Sequence, residues 1–142
     1  MIKLVEWDLD IPSKEALFSK IATTLENQGI VLDREILLQK LYDRESFGDT
    51  LIAPNFAIPH IVLSEVTQSS YVFVRLVSPI LNWHNQNSVT SILFVIVKAH
   101  EDKSILLEIR SLFRQMASEE LIEQLINGDM NQVQLILDNK GE

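Results

Sequence analysis

The sequence predicts an α/β sandwich, a β-sheet with helical cover built as a single domain. Three observations carry that prediction. Residues 71–77 and 92–98 are short, nearly continuous apolar runs rich in β-branched side chains, as expected of strands covered on both faces. The segments on either side of them repeat apolar residues at helical spacing. The length, 142 residues, suits one domain spanning 1–142, and a domain of that size buries roughly two-thirds of its unfolded surface.

Taken in order, residues 2–7 read as a short strand. Ser13 stands where an N-cap belongs, and Leu17, Ile21 and Leu25 recur at helical spacing up to Gly29. Asp33 can cap a second helix, whose Leu37, Leu38, Leu41 and Tyr42 share one face. Residues 43–70 then lack any long helical period and offer only hints of short strands. Stretches of that length inside a domain are uncommon and often functional, and this one holds Gly48, Pro54, Pro59 and His60. Between the two apolar runs, Pro79 and residues 82–88 read as a turn or loop. Ile105, Leu106, Ile109, Leu112, Phe113 and Met116 mark the next helix. Ser118 can cap another, carrying Leu121, Ile122, Leu125 and Ile126 and ended by Gly128. Val133, Ile136 and Leu137 mark a last short one. The order strand, two helices, strands, helices is that of a sheet with helical cover.

Composition narrows the function. Apolar residues make up 46% and charged residues 23% of the chain, ordinary for a globular protein and unlike a disordered one. The net charge of −8 argues against direct nucleic-acid binding and against anionic membrane surfaces. It suits a basic partner, and serves solubility equally well. The absence of cysteine removes disulfides, thiol nucleophiles and thiolate metal sites. The first ten residues lack the basic and apolar regions of a signal peptide. The run from Ile92 to Val97 is far too short to span a bilayer. A cytoplasmic protein without membrane insertion is expected.

Three histidines are available: His60, His84 and His100. No HExxH or HxH spacing is present, so no metal is expected. His100-Glu101-Asp102 has ligand-like chemistry but reads equally as a solvated helix start. His84, among Asn82, Asn85, Gln86 and Asn87, reads as an exposed loop residue. His60 differs, because the apolar stretch Phe56-Ala57-Ile58 leads into Pro59-His60. Proline fixes a backbone dihedral and stiffens the entry to the histidine. No GxSxG elbow, P-loop or GxGxxG is present, and no cofactor is expected.

Residues 44–60, RESFGDTLIAPNFAIPH, resemble the signature of enzyme IIA of the fructose/mannitol class of the bacterial sugar phosphotransferase system. That signature joins an Arg-Glu pair at the end of the second helix to an Ala-aliphatic-Pro-His ending. Glu45, Ile52 and Ala53 fall where it has an acidic or amide residue, an aliphatic one and a small one. Ala57-Ile58-Pro59-His60 match its end. The likeness runs from about Trp7 to Leu137, with Ser13-Lys14-Glu15 resembling the start of the family's first helix. The stretch from Pro79 through Trp83 to Val89, and the strand to Val97, resemble its later part.

The resemblance implies a mixed β-sheet flanked by helices, in agreement with the periodicity. It implies a phosphotransferase in which His60 takes a phosphoryl group from HPr and passes it to a IIB domain, which phosphorylates the incoming sugar. A neutral imidazole nitrogen is a good nucleophile near pH 7, the unperturbed pKa being about 6.5. Arg44 matches the family's arginine near the histidine, and a guanidinium can hold phosphate oxygens through paired hydrogen bonds. It also reads as a cation favoured at a helix C-terminus. Thr50 and Asn55 are offered as further donors.

There are departures. Phe56 stands where the family has an aliphatic residue, and Ile61 where it has a small one. Well-studied members carry a second histidine at the start of the helix after the long strand, which falls here near Ser104 or Ile105. His100 lies upstream of that place, and either substitutes from the loop or leaves the domain with one histidine. The alternative to a transport carrier is a regulatory domain, like those of sugar-responsive transcriptional regulators, in which phosphorylation is a signal.

Overall fold

A computed structural model describes residues 1–139. The elements follow one another as β1 (Ile2–Leu9), α1 (Lys14–Asn27), α2 (Arg34–Ser46), β2 (Leu51–Ala53), β3 (Asn55–Ala57), β4 (His60–Leu63), β5 (Ser70–His84), β6 (Asn87–Lys98), α3 (Lys103–Gln115), α4 (Glu119–Asn127) and α5 (Met130–Asp138).

Local chemistry sets the helix ends. The Ser13 hydroxyl accepts from the Ala16 N–H and the Asp33 carboxylate from the Glu35 N–H, each satisfying a donor that the first turn leaves unpaired. Gly29 leaves α1 at φ +72°, a conformation open to glycine at little cost. Ser118 caps α4, and Asp129 with Gln132 forms a reciprocal capping box on α5. Gly128 ends α4, as expected. Its backbone is extended, and a Cβ there would lie 2.4 Å from the Gln124 carbonyl oxygen. Close approach, not positive φ, requires the glycine.

The six strands form one mixed sheet, ordered β1-β5-β6-β3-β2, with β4 also on β6. β1 runs parallel to β5, and β5 and β6 form an antiparallel hairpin. The other edge of β6 is shared. β3 lies parallel along its first part, opposite Val89–Ile92, and β4 along its last part, opposite Val95–Lys98.

Alternation along the hairpin divides the core in two. Val72, Val74, Ile92, Phe94 and Ile96 pack with Leu17, Phe18, Ile21, Leu37 and Leu41 of α1 and α2. Tyr71, Phe73, Leu93, Val95 and Val97 pack with Ile109, Leu112, Leu125, Val133 and Leu137 of α3 to α5. The sheet is therefore buried on both faces, as its apolar runs predict. Arg75 ties the second layer to the sheet. Its guanidinium donates to Ser91 Oγ (2.8 Å) and to the carbonyls of Leu125 (2.8 Å) and Gly128 (3.0 Å) at the end of α4. It also lies 4.4 Å from the Trp7 ring centroid, a cation–π contact.

Three expectations need correction. Pro79 and residues 82–88 are not a loop, because the strands continue through them and the turn is only Asn85-Gln86. Both turn residues have positive φ, 49° and 67°, the pattern of a type I′ hairpin turn. The proline falls where the register shifts between Arg75 and Ile80, so its missing N–H disrupts no regular ladder. The first strand also runs two residues past its expected end, to Leu9. Leu106, expected on the apolar face of α3, is exposed. Among the described residues no helix is long and apolar enough to cross a membrane.

Candidate functional site

His60 opens β4, and its backbone is held from two sides. The Ile58 N–H donates to the Thr50 carbonyl (2.9 Å), and the Pro59 carbonyl accepts from the Val95 N–H (2.9 Å). The histidine itself is in register with Val95. Period-2 alternation then sends Ile61 and Leu63 into the core beside α1 and α2, leaving His60 and Val62 exposed. The inward demand of Ile61 is what turns the imidazole out.

Two helices close on the imidazole. The Phe113 ring of α3 lies 5.3 Å from it, centroid to centroid, at 40° between planes. From α2 comes Arg44, in the last turn of that helix. Its guanidinium donates to the Gly48 carbonyl at 3.5 Å. Lys40, Asp43, Arg44, Phe47, His60, Ile61 and Val62 line a cleft of about 240 Å³. Crowding of the ring on one side lowers the His60 pKa below its ordinary value, and the positive charge of Arg44 lowers it further. The imidazole is thus held neutral at pH 7, with an unprotonated nitrogen and an adjacent cation.

The other candidates lie elsewhere. Thr50 is 2% exposed. Its hydroxyl donates to Glu45 Oε1 (3.0 Å) and accepts from Trp83 Nε1 (3.2 Å). Asn55 accepts from Ser88 Oγ (3.1 Å) and pairs with Val89. That is six positions along β6 from the partner of His60, roughly 20 Å at strand rise. It borders a separate recess of about 500 Å³ with Ile52, Met116 and Glu119. His100 is exposed, at φ 59°, past the end of β6. Lys98 is itself three positions, roughly 10 Å, beyond the partner of His60. His84 flanks the hairpin turn, opposite Asn87, roughly 26 Å along β6 from that partner. Ile105 lines a pocket with Met1, Ser69 and Lys98 and does not line the His60 cleft. Among the described residues no group of three or more histidines and carboxylates is placed to hold a metal ion.

Sequence reasoning assigns Phe113 only to a helical apolar face and gives Phe47 no part. Phe47 is 86% exposed beside His60. Nothing in a one-dimensional pattern separates an aromatic that packs on a histidine from one that fills a core.

Fold and site together define a class: an α/β/α domain that presents an accessible, neutral histidine at the head of a strand, with an arginine beside it. The chain belongs to the family described as phosphoenolpyruvate-dependent sugar phosphotransferase system, EIIA 2, which matches residues 2–140. Phosphotransfer is the general activity of that family. The nitrogen regulatory protein IIA-Ntr of Neisseria meningitidis has a similar structure, with a TM-score of 0.75 and 24% identity over 94% of this chain and 92% of that one. Mannitol IIA of Escherichia coli is similar at TM-score 0.67 and 19% identity, over 94% of each chain. The complex of that enzyme IIA with phosphorylated enzyme IIB matches at TM-score 0.68 and 18% identity, over 94% and 92%. No curated protein sequence matches significantly.

Proposed function

We propose that this chain is a phosphohistidine carrier of the cytoplasm. His60 accepts a phosphoryl group from phospho-HPr and passes it to the IIB domain of a sugar uptake system. The observation that carries this reading is the imidazole of His60, exposed at the head of β4 in one cleft with Arg44. The unprotonated ring nitrogen attacks phosphorus, and the bond from phosphorus to the donor breaks with its electron pair staying on the donor. The same step in reverse delivers the group to the acceptor. Such transfers need in-line placement and charge neutralisation more than covalent chemistry from the protein, and Arg44 supplies a cation for the phosphoryl oxygens.

A regulatory role is the second reading. It is favoured by the similarity to a nitrogen regulatory protein and by Ser104 and Ile105 standing where a second histidine is expected. One experiment addresses both. The protein is incubated with phosphoenolpyruvate, enzyme I and HPr, and acid-labile phosphate is followed before and after IIB is added. His60→Ala is expected to abolish labelling, and labelling that survives it removes the assignment. Label that forms on His60 but never leaves for any IIB favours the regulatory reading.

A further inference from the structure

We propose that Thr50 is a positioning residue for phosphoryl transfer, a buried clasp that ties the segment bearing Arg44 to the segment bearing His60. The inference rests on the roles proposed for those two residues. Sequence offers the Thr50 hydroxyl as a donor to phosphate, yet in the structure that hydroxyl is committed inside the protein. It donates to Glu45 Oε1 at 3.0 Å and accepts from Trp83 Nε1 at 3.2 Å. The other carboxylate oxygen of Glu45 takes Lys14 Nζ at 2.9 Å, and the same ammonium sits 4.7 Å from the Trp83 ring centroid. The four side chains form one satisfied, largely buried polar cluster, and such clusters rigidify what they join.

What they join is the site. Glu45 follows Arg44 on α2, so fixing one fixes the helix turn that carries the other. Between Glu45 and Thr50 the chain reverses through Gly48 at φ +146°. The Gly48 carbonyl inside that reversal accepts from the Arg44 guanidinium. The Thr50 hydroxyl closes the reversal, and the Thr50 carbonyl accepts from the Ile58 N–H (2.9 Å), two residues before His60. One residue therefore cross-links both ends of the 44–60 stretch. Without the hydroxyl, a buried carboxylate oxygen and the indole N–H each lose a partner. The helix end is then free to shift, and with it the guanidinium.

The test is a double-mutant cycle with two readouts. Thr50→Val keeps the shape and removes the hydroxyl, while Thr50→Ser restores it. The first readout is the His60 titration followed by NMR in the unphosphorylated protein. Thr50→Val should raise that pKa toward the value in Arg44→Ala, and Thr50→Ser should leave it low. The second is single-turnover transfer from phospho-HPr, expected to fall about tenfold in Thr50→Val. In the Arg44→Ala background Thr50→Val should add little, because residues acting as a unit are not additive. Equal losses in both backgrounds, or an unmoved His60 titration, would overturn the proposal. If Thr50→Val fails to fold, Trp83→Phe, which removes one of the clasp's two hydrogen bonds, must move the titration in the same direction or the proposal fails. The readouts separate the two layers of inference. Arg44→Ala with undiminished transfer would remove Arg44 from the chemistry, while a titration shift in Thr50→Val would still establish the clasp.

Discussion

The His60 imidazole packs obliquely against the Phe113 ring, 5.3 Å between centroids and 40° between planes. The contact joins β4 to the end of α3 and does two things at once. It removes water from one face of the imidazole, and it limits the ring's rotation about its side-chain bonds. A histidine in an open loop would have neither constraint.

Phe113→Ala is expected to raise the His60 pKa, because less desolvation disfavours the charged form less. It should also cost about 1–2 kcal/mol of stability, since the ring is only partly buried. NMR titration and urea unfolding measure the two effects. An unchanged titration would mean that the crowding of His60 comes from another group.

The pH dependence follows with a definite sign. The folded-state pKa of His60 is lowered, by burial first and Arg44 second. In the window between that pKa and the unfolded value near 6.5 the unfolded state binds more protons, so stability rises with pH there. The contribution is fully present above the unfolded pKa and is lost as pH falls through the folded one. Unfolding midpoints of the wild type and His60→Gln, measured from pH 7.5 to 5, should therefore diverge on acidification, with the wild type losing more. Phosphoryl acceptance should likewise persist below pH 6.5, where an ordinary histidine is already mostly protonated.

Arg75 is expected to matter for stability alone. Arg75→Met leaves the Leu125 and Gly128 carbonyls and Ser91 without their charged donor. The loss should be about 2–3 kcal/mol, while transfer per folded molecule is retained. Denaturant unfolding paired with the transfer assay checks this, and a variant that keeps its stability would show that water replaces the guanidinium without loss.

Gln86→Gly should stabilise the domain. Gln86 sits at φ 67° in the hairpin turn, a conformation that glycine adopts without a Cβ penalty. A gain of about 0.5–1 kcal/mol is expected, offset in part by the greater freedom of glycine in the unfolded chain. Thermal unfolding of the pair of proteins is the measurement, and a lowered midpoint would mean that the unfolded-chain term dominates.

These elements differ in how visible they are from sequence. The buried strands are legible because both faces are covered and no polar residue need alternate. The extension of β5 to His84 is not. Asn82 and Asn85 mark turns by composition, and both do adopt positive φ, but only Asn85 is in the turn, while Asn82 lies within the strand. Ile80 and Trp83 both face the core although they stand three residues apart, because the register shifts between Ile80 and His84, and that break in period-2 alternation is what hides the strand from a sequence pattern. The sequence points to His60 because the motif that singles it out is contiguous in the chain. The Thr50–Trp83 and Lys14–Glu45 contacts span 33 and 31 residues. Local pattern carries no information about pairs so far apart, so Thr50 shows its chemical type in the sequence but not what it is used for.

The shared edge of β6 also orders events during synthesis. Arg44 and His60 are both made before residue 61 leaves the ribosome, but the strand that sets the register of His60 is residues 87–98. Until that strand exists the histidine has no ladder to join, and parallel pairing must wait for the chain between to be made. Chains grow N-terminus first. A nascent chain stopped short of Lys98 thus holds the two residues proposed to act on phosphate without the frame that aligns them. No fragment ending there should carry the activity, however much of the 44–60 stretch it retains.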